Sequence, residues 1–431
     1  MTPATRPLRL VLDAMRPLTY GIVQAGDDFP GGVPYIRPID MTATNGVKVV
    51  EGLLRTSPAI AAQYKRSEVR TGDVVLSIGP SYGKVMIVPS ELDGANLTQG
   101  TARLAPGNDV TSRWLYWILQ SQPVREYWDT VVAGGTFSAL NLAPLGATPI
   151  HCPPLDVQRR IADFLDDQVA RIDTVGQLRS RQRRLAHEVA QSQITAALLR
   201  GGAVLGSPPW FTDLPEDVAV RPLRALWRVI DCKHRTPEYV DEGIPVVSPG
   251  DVRPGLLDLS VCHRFVDETD YRDLADDLRR CLPGDIVYSR NASAGTAAFI
   301  DSPEPFTMGQ DVCRITSQYE NQRYLTYALN YLVKPQLDAV RVGSTFTRIN
   351  VDQIKALRVP VPSRDQQDKI AQECLRLGDQ ETTVTTALDR SLCLLEDRKR
   401  SLITAAVTGE FDVSTASSRA RHAAMAGQSV G

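Results

Sequence analysis

"TGDVVLSIGPSYGKVMIV" (residues 71–88) returns later in the chain as "PGDIVYSRNASAGTAAFI" (residues 283–300). In both copies, runs of apolar and β-branched residues flank glycine and serine, which predicts a strand, a turn and a second strand. Other short motifs recur in the same order: "RPLRL" (6–10) and "RPLRA" (221–225), "VPYIRPIDM" (33–41) and "IPVVSPGDV" (244–252), "GTFSALNL" (135–142) and "STFTRINV" (344–351), and "ITAA" at 194–197 and 403–406. The sequence therefore predicts a tandem repeat of a unit of about 210 residues.

The first copy contains Gly83-Lys84, which raises the alternative of a phosphate-binding loop in a nucleotide hydrolase. Such a loop needs a wider spacing between its glycines than Gly79 and Gly83 have, and a hydroxyl residue after the lysine to hold magnesium. Val85 follows Lys84, and Thr296 stands at the lysine position of the second copy. We therefore interpret the stretch as a scaffold hairpin and disfavour an enzyme that uses Lys84 on phosphate.

The composition is that of a globular protein with more than one core. The chain has 431 residues, a formal net charge of −2, 23% charged and 43% hydrophobic residues. This length predicts two or three domains. No apolar run could span a membrane, and the N-terminus lacks the features of a signal peptide, so we expect a cytoplasmic protein. Because the charge is near neutral, a polyanionic partner requires locally concentrated basic residues or help from other subunits.

The residues that usually carry catalysis or bind metals form no recognisable pattern. The seven cysteines contain no Cys-x-x-Cys pair, which favours buried or idle thiols over a metal site. None of the five histidines recurs between the copies, and no nucleophile elbow, zinc-protease motif or dinucleotide fingerprint is present. We expect no catalytic residue and no metal in this chain, and we favour a recognition function over an enzyme.

Each repeat begins with a β-rich part of about 150 residues and ends in a long helical part. In the β-rich parts, "SRWLYWILQSQPVREYW" (112–128) and "NQRYLTYALNYLVKPQLDAV" (321–340) have apolar residues at helical spacing, which predicts helices packed in the core. The helical parts follow "HCPP" (151–154) and "PVPS" (360–363) and continue for about 45 residues without proline.

The helical parts are amphipathic, so each needs a partner, and the other copy is the obvious one. The apolar residues on or near the predicted contact line are Ile161, Leu165, Ile172, Val175, Leu185 and Val189 in the first copy, and Leu388, Leu392, Leu395 and Leu402 in the second. We predict two long helices that pair as an antiparallel coiled coil and carry the β-rich domains at opposite ends, with approximate two-fold symmetry. Two separate helices that each cover their own domain are the weaker alternative.

The predicted fold class is α+β, with two mostly β domains that contain some helix and two long coiled-coil helices. The predicted boundaries are 1–150 for the first domain, 151–203 for the central helix, 204–360 for the second domain, 361–411 for the C-terminal helix and 412–431 for a disordered tail. Asp156, Gln158 and Ile161 recur as Asp365, Gln367 and Ile370, and we expect them to cap and start the two helices.

These motifs together resemble the specificity (S) subunit of type I DNA restriction–modification systems. Besides the repeated hairpin, the resemblance rests on "YGIVQAGDDFPGGVPYIRPIDM" (20–41), "DCKHRTPEYVDEGIPVVSPGDV" (231–252), "GSTFTRINVDQIKALRVPVPSRDQQDKIA" (343–371) and "RKRSLITAAVTGEFDV" (398–413). Two ordered sets of motifs around two long helices cover nearly the whole chain, which makes the resemblance specific.

The resemblance implies a non-catalytic subunit that recognises a bipartite, asymmetric site in double-stranded DNA. Each β-rich domain would be a target-recognition domain for one half-site, and the helices would fix the spacer and dock the modification subunits. The implied partners are two modification subunits, which bind S-adenosylmethionine and methylate adenine, and restriction subunits, which translocate DNA and hydrolyse ATP with magnesium. The chain itself would hold no cofactor.

The candidate DNA contacts lie in loop-like stretches and at the hairpin. They are Lys233, His234, Arg235, Arg290, Asn291 and Arg348 in the second repeat, and Ser81, Tyr82 and Lys84 in the first. Arginine and asparagine are the residue types that pair with guanine and adenine through two hydrogen bonds. The alternative for each residue is a solvated surface side chain.

Two other functions remain open from the sequence. The chain could serve a methyltransferase-only or other phage-defence system without a restriction motor. It could also be a coiled-coil scaffold with two β domains that bind carbohydrate or protein.

Overall fold

The computed structural model describes residues 5–42, 44–133, 139–291, 294–341 and 348–413. The chain divides into two compact units, one formed by the residues up to Ser180 with those from Arg390 onward, and one by Arg181–Asp389. In the ranges described, no helix is long and apolar enough to cross a membrane. Most of the predicted tail, residues 414–431, lies outside the described residues, so its disorder stays a prediction.

In the part of the first unit that the structure describes, the β-rich domain has nine strands. They are β1 (Thr5–Pro7), β2 (Thr19–Tyr20), β3 (Val33–Ile36), β4 (Arg55–Thr56), β5 (Val74–Ile78), β6 (Tyr82–Ile87), β7 (Asn96–Leu97), β8 (Thr101–Leu104) and β9 (Pro149–His151). The order β2-β8-β5-β6 forms an antiparallel sheet, β4-β3-β7 forms a mixed sheet, and β1 pairs with β9. The helices are α1 (Pro58–Gln63), α2 (Ser112–Ile118), α3 (Gln122–Ala133) and α4 (Leu142–Ala147), with 3₁₀ turns at Leu8–Leu10, Lys65–Ser67 and Ser90–Leu92.

The long helix α5 (Leu155–Leu199) follows and leads into the second β-rich domain. Its strands are β10 (Ala203–Val204), β11 (Phe211–Thr212), β12 (Ala219–Pro222), β13 (Arg228–Asp231), β14 (Ile244–Val247), β15 (Gly255–Leu256), β16 (Phe265–Val266), β17 (Ile286–Ser289), β18 (Ala297–Phe299), β19 (Thr307–Met308), β20 (Val312–Thr316) and β21 (Arg358–Val361). The helices are α6 (Glu268–Leu274), α7 (Gln322–Tyr331), α8 (Lys334–Arg341), α9 (Val351–Ala356) and the second long helix α10 (Arg364–Thr408), with 3₁₀ turns at Leu223–Ala225, Pro249–Asp251 and Leu259–Val261.

The sheets of the second domain repeat those of the first. The order β13-β20-β17-β18-β15 corresponds to β2-β8-β5-β6 with one strand added, β16-β14-β19 corresponds to β4-β3-β7, and β12 pairs with β21 as β1 pairs with β9. β10 and β11 form a separate hairpin. The tandem repeat, the α+β class and the strand–turn–strand hairpin are thus confirmed.

The central strand of each larger sheet is buried on both sides, because alternate side chains point into two different cores. In β5, Val74 and Leu76 pack with α2, whereas Val75 packs with the three-stranded sheet. In β17, Ile286 and Tyr288 pack with α7, and Val287 packs with the other layer. Burial on both faces explains why these motifs are nearly continuous apolar runs.

A positive φ, together with the nearby Arg125 guanidinium, favours the glycine that precedes Lys84. Gly83 has φ +96, and a Cβ added there would lie 2.1 Å from a guanidinium nitrogen of Arg125. The Arg125 guanidinium also donates a hydrogen bond to the Gly83 carbonyl at 2.5 Å. This glycine therefore serves the packing of α3 on the hairpin.

The long helices are antiparallel in each unit. In the first, Leu165 and Val169 of α5 share a core with Ile403 and Val407 of α10, and Asp173 accepts a hydrogen bond from Lys399 at 2.7 Å. In the second unit, the apolar contact is made by Ile194, Leu198, Ile370, Cys374 and Leu377. His187 lies 2.5 Å from Glu381, and Arg183 lies 2.8 Å from Asp389.

The contact line between the helices differs from the prediction in its middle. Ile161, Leu165 and Leu388 are buried as predicted, but Val175, Leu185 and Val189 are 41%, 46% and 53% exposed, so their assignment to the contact line was wrong. Polar contacts occupy that part of the line instead: the ion pairs of Asp173 with Lys399 and of Arg183 with Asp389, and the contact of His187 with Glu381. The apolar stripe of α5 is rotated away from α10 there.

All seven cysteines are free thiols. Cys232, Cys262, Cys313 and Cys374 are buried, and burial raises the pKa of Cys262 to about 11 and that of Cys374 to about 12. Since the thiolate is the reactive form, these cysteines act as packing residues at neutral pH.

Candidate nucleic-acid interface

The hairpin residues Ser81, Tyr82 and Lys84 have different environments. Ser81 is exposed in the turn between β5 and β6. The Tyr82 hydroxyl donates to Asp129 at 2.6 Å, and this bond raises the pKa of Tyr82. Lys84 Nζ donates to the carbonyls of Pro38 and Met41, both at 3.0 Å. Lys84 thus fastens the loop after β3 to the hairpin, and a DNA contact by any of the three stays a prediction.

Several predicted DNA contacts of the second domain lie at one edge of the five-stranded sheet. β13 and β17 both run antiparallel to β20, so the ends of β13 and β17 meet the start of β20. Asp231 ends β13, Arg290 follows β17 and Asp311 precedes β20. Residues far apart in the sequence are therefore brought together at this edge by strand pairing.

Arg290 lies in the middle of this edge and is only 5% exposed. Its guanidinium forms an ion pair with Asp231, donates to the Ile349 carbonyl at 3.3 Å and lies 3.8 Å from Asp311. Such a buried charge requires paired acids, because leaving it unpaired costs several kcal/mol (about 3–5). Arg290 holds the edge together, and a direct base contact by Arg290 stays a prediction.

Three other candidates surround the same carboxylates. Arg348 Nε lies 2.7 Å from Asp311 and its side chain is 52% exposed. Asn291 donates its amide to Asp311 at 3.1 Å. His234 Nε2 lies 3.1 Å from Asp231, with 58% of the side chain exposed. Arg348 and His234 are therefore oriented by acids while they remain accessible.

Lys233 and Arg235 pair with acids of the short helix α6. Arg235 contacts Asp273 at 2.7 Å and Asp270 at 2.5 Å, and these hydrogen bonds raise the pKa of Arg235. Lys233 pairs with Asp273 and also donates to its carbonyl at 3.1 Å. The Arg235 side chain is still 43% exposed, so the acids fix a guanidinium that solvent reaches.

The sequence interpretation missed the acids that orient these basic residues. They are Asp231, Asp270, Asp273 and Asp311. Asp231 directly precedes Cys232 and Lys233, but nothing in the local sequence indicates that Asp311, on another strand, faces the same arginine. Strand pairing supplies that information.

The corresponding edge of the first domain follows from strand register. Ser77 pairs with Thr101 as Ser289 pairs with Val312, and β2 and β13 pair with β8 and β20 in the corresponding register. The equivalent positions are Tyr20 and Asp231, Ile78 and Arg290, and Gly100 and Asp311. Three charged residues in the second domain thus correspond to three uncharged ones in the first.

At this uncharged edge the first domain has a cavity of about 940 Å³. The residues that line it include Tyr20, Tyr35, Ile78, Gln99 and Asn141. None of these residues was a sequence candidate. The repeat alignment could have identified two of them, since Gln99 corresponds to Gln310 and Asn141 to Asn350.

The two edges offer different chemistry on the same scaffold. Oriented arginines present donors that suit guanine or phosphate, whereas neutral amides present a donor and an acceptor together, which suits adenine. Two such surfaces can distinguish two different base sequences.

Known proteins share both the sequence pattern and the fold. A model of the type I restriction modification DNA specificity domain matches residues 22–181 and again 241–388. The specificity subunit of the type I restriction enzyme EcoBI from Escherichia coli is 29% identical over 198 residues, which cover 45% of this chain and 40% of that protein. The corresponding MjaIX subunit from Methanocaldococcus jannaschii is 24% identical over 135 residues, or 31% of each chain.

The chain thus aligns with less than half of the length of these curated relatives. A solved chain from a study of complex assembly and conformational transition in the type I restriction–modification system superposes with a TM-score of 0.72. It is 18% identical, and the match covers 95% of this chain and 98% of that one, which shows a common fold. With the family model matching both repeats, this chain belongs to the family of type I restriction modification DNA specificity domain proteins.

Proposed function

We propose that this protein is the DNA-specificity subunit of a type I restriction–modification complex, and that each β-rich domain reads one half of a bipartite, asymmetric site. The observation that carries the proposal is the exchange of side chains at equivalent positions of the two sheet edges. Asp231, Arg290 and Asp311 in one domain stand where Tyr20, Ile78 and Gly100 stand in the other. A conserved scaffold with different edge residues suits two readers of different sequences.

The charge distribution supports DNA as the ligand of the second edge. Arg235 and Arg348 are held by acids yet are 43% and 52% exposed, so they can reach phosphates or guanine without a large loss of side-chain freedom. The formal net charge of −2 leaves most phosphate neutralisation to other subunits. These would be two modification subunits and the restriction, or translocase, subunits.

The long helices are the proposed docking surface for the modification subunits. Aliphatic side chains at heptad-like spacing on α5 remain exposed: Val175, Leu178, Leu185 and Val189. On α10, Val384 and Leu394 are 46% and 59% exposed. Apolar stripes at this spacing are complementary to a partner helix, so we propose helical segments of the modification subunits as the occupants.

In this proposal the chain carries no catalytic residue and works in the cytoplasm. Methylation with S-adenosylmethionine, and cleavage driven by ATP and magnesium, reside in the partner subunits. The same helices would set the length of the spacer between half-sites.

The test is to co-express the full chain with a modification subunit and to map methylated adenines by single-molecule sequencing. We expect one gapped, asymmetric motif that disappears when the chain is omitted. Methylation without a motif, in the presence of an active modification subunit, would contradict the proposal. Motif-specific methylation without ATP-dependent cleavage in the complete system would instead indicate a methyltransferase-only system.

A further inference from the structure

We infer that the cavity at the sheet edge of the first domain reads an A·T base pair through the side-chain amides of Gln99 and Asn141. This inference rests on the proposed DNA-specificity function. It assigns base contacts to residues outside the hairpin tip and names the base pair that they would recognise.

The side-chain amides at these two positions form hydrogen bonds within the second domain, but their counterparts in the first domain make none to the described residues. Gln310, the counterpart of Gln99, donates to the Thr236 hydroxyl at 2.8 Å. Asn350, the counterpart of Asn141, accepts from the Gln353 backbone at 2.8 Å in a capping box of α9. Among the described residues, the side-chain amides of Gln99 and Asn141 have no hydrogen-bond partner, and both residues are exposed.

The sequence explains why Asn141 is not used as a helix cap. An N-cap asparagine accepts from the backbone N–H two or three residues later. The N3 residue of α4 is Pro144, which has no N–H, whereas the N3 residue of α9 is Gln353. Pro144 thus removes one of the two backbone donors that could cap with Asn141, and Asn141 makes no side-chain cap hydrogen bond to the other, Ala143, so its amide is available at the cavity.

The cavity has the chemistry that an A·T pair presents in the major groove. Adenine offers an acceptor, N7, beside a donor, the N6 amino group, and a neutral side-chain amide can donate to N7 while it accepts from the N6 amino group. The paired thymine adds a methyl group, which favours apolar contacts. The lining of the cavity is mostly apolar and also includes Tyr20, Tyr35 and Ile78.

The charges near the edge agree with this assignment. Arg37, which also lines the cavity, is bound by Asp40 through two hydrogen bonds of 2.8 Å. The position equivalent to the buried Arg290 is the apolar Ile78. The Arg37 side chain is 34% exposed, less than those of Arg235 (43%) and Arg348 (52%) in the second domain, which favours the unpaired amides over an arginine as the base-reading groups of this edge.

The test compares methylation motifs of the full chain, co-expressed with its modification subunit, for wild type, Asn141→Ala, Gln99→Ala and the matched control Asn350→Ala. We expect the first two variants to accept other bases at an A·T position of one half-site, with a loss of discrimination of about tenfold. The other half-site should be unchanged. Asn350→Ala should leave the motif as in wild type, because its side chain is a helix cap.

A second variant separates base reading from folding. Pro144→Gln supplies the missing N–H and recreates the capping box of α9, so Asn141 should cap α4 and leave the cavity. We expect relaxed recognition at the same A·T position with an unchanged or higher melting temperature. Retention of the wild-type motif by Asn141→Ala, Gln99→Ala and Pro144→Gln would overturn the inference and leave the proposed function standing.

Two further outcomes are also decisive. Relaxation at a G·C position would overturn the assignment to adenine. Absence of any motif for the wild-type chain would overturn the proposed function itself, and the inference with it.

Discussion

Two buried glutamines join the long helices to their β-rich domains. Gln158 accepts from the Thr111 backbone at 2.9 Å and donates to the carbonyls of Asp109 and Pro153, both at 2.8 Å. Gln367 accepts from the Asn321 backbone at 2.9 Å and donates to Pro362 at 3.0 Å. Each glutamine satisfies loop groups that would otherwise be buried without partners, and so fixes where its helix starts.

Replacing Gln158 by alanine should therefore destabilise the first unit. The change leaves one N–H and two carbonyls without this partner, at a cost of about 2–4 kcal/mol. We expect a lower urea midpoint than for wild type, measured on the full chain by circular dichroism. Gln177→Ala, at an exposed position of α5, is the matched control. A midpoint no lower than that of the control would contradict this role for Gln158.

At the sheet edge of the second domain, solvent exposure distinguishes two arginines that share one acidic partner. Arg290 and Arg348 share Asp311 as a partner, yet their side chains are 5% and 52% exposed. Both arginines were equal candidates in the sequence. Exposure distinguishes them, since the more exposed guanidinium can exchange its acid for a phosphate or base at lower cost.

At the scale of elements, the polar middle of the helix pair is the least expected feature. Asp173, Arg183 and His187 face α10 and find charged partners, while Val175 and Leu185 are exposed. Arg183 and Asp389 are about half exposed, and exposed ion pairs contribute little to stability, about 0–1 kcal/mol each, whereas Lys399 and Asp173 are only 15% and 27% exposed. These contacts between α5 and α10 fix the register of the helices. The apolar stripe of α5 stays exposed and is available to the partner helix proposed above.

Polar substitutions in the exposed apolar stripe of α5 should weaken binding of the modification subunit to this chain. Leu185 and Val189 are 46% and 53% exposed, so Leu185→Gln with Val189→Gln should leave the chain folded. Burial of one such aliphatic side chain is worth about 1.5–3 kcal/mol, so we expect affinity to fall by tenfold or more, measured by isothermal titration calorimetry. Arg184→Gln serves as control, because Arg184 is exposed and lies about 100° around the helix from Leu185 and farther from Val189. Equal affinities for the variant and control would exclude this stripe as the docking surface.

The proposal that the long helices set the spacer length makes a separate prediction. Insertion of one heptad after Gly176, with a compensating heptad after Glu396 in α10, keeps the pairing and adds about 10 Å. DNA rises about 3.4 Å per base pair, so the spacer should lengthen by about three base pairs with both half-sites unchanged. Methylation mapping measures this. An unchanged spacer in the variant with longer helices would contradict the proposal that the helices set the spacer length.

At the scale of the whole molecule, the sequence predicted the repeat, the hairpin and the long helices because their signals are local and occur twice. "GDVVLSI" and "GDIVYSR" are each buried on both faces, and the two glutamines recur at the helix starts. The edges could not be predicted in this way. Asp231 and Asp311 meet through pairing of β13 with β20, which about half of the domain's sequence separates. The availability of the Asn141 amide depends on the start of α4, where Pro144 lacks one capping N–H and Asn141 makes no bond to the other.

The central claim is that each β-rich domain reads its own half-site. The most direct measurement maps methylated adenines for two sets of variants of the full chain with its modification subunit: Gln99→Ala with Asn141→Ala in the first domain, and Arg235→Ala with Arg348→Ala in the second. The account predicts that each set relaxes bases in one half-site only, and that the two sets affect opposite halves. Relaxation of the same half-site by both sets, or of both halves by either set, would contradict it.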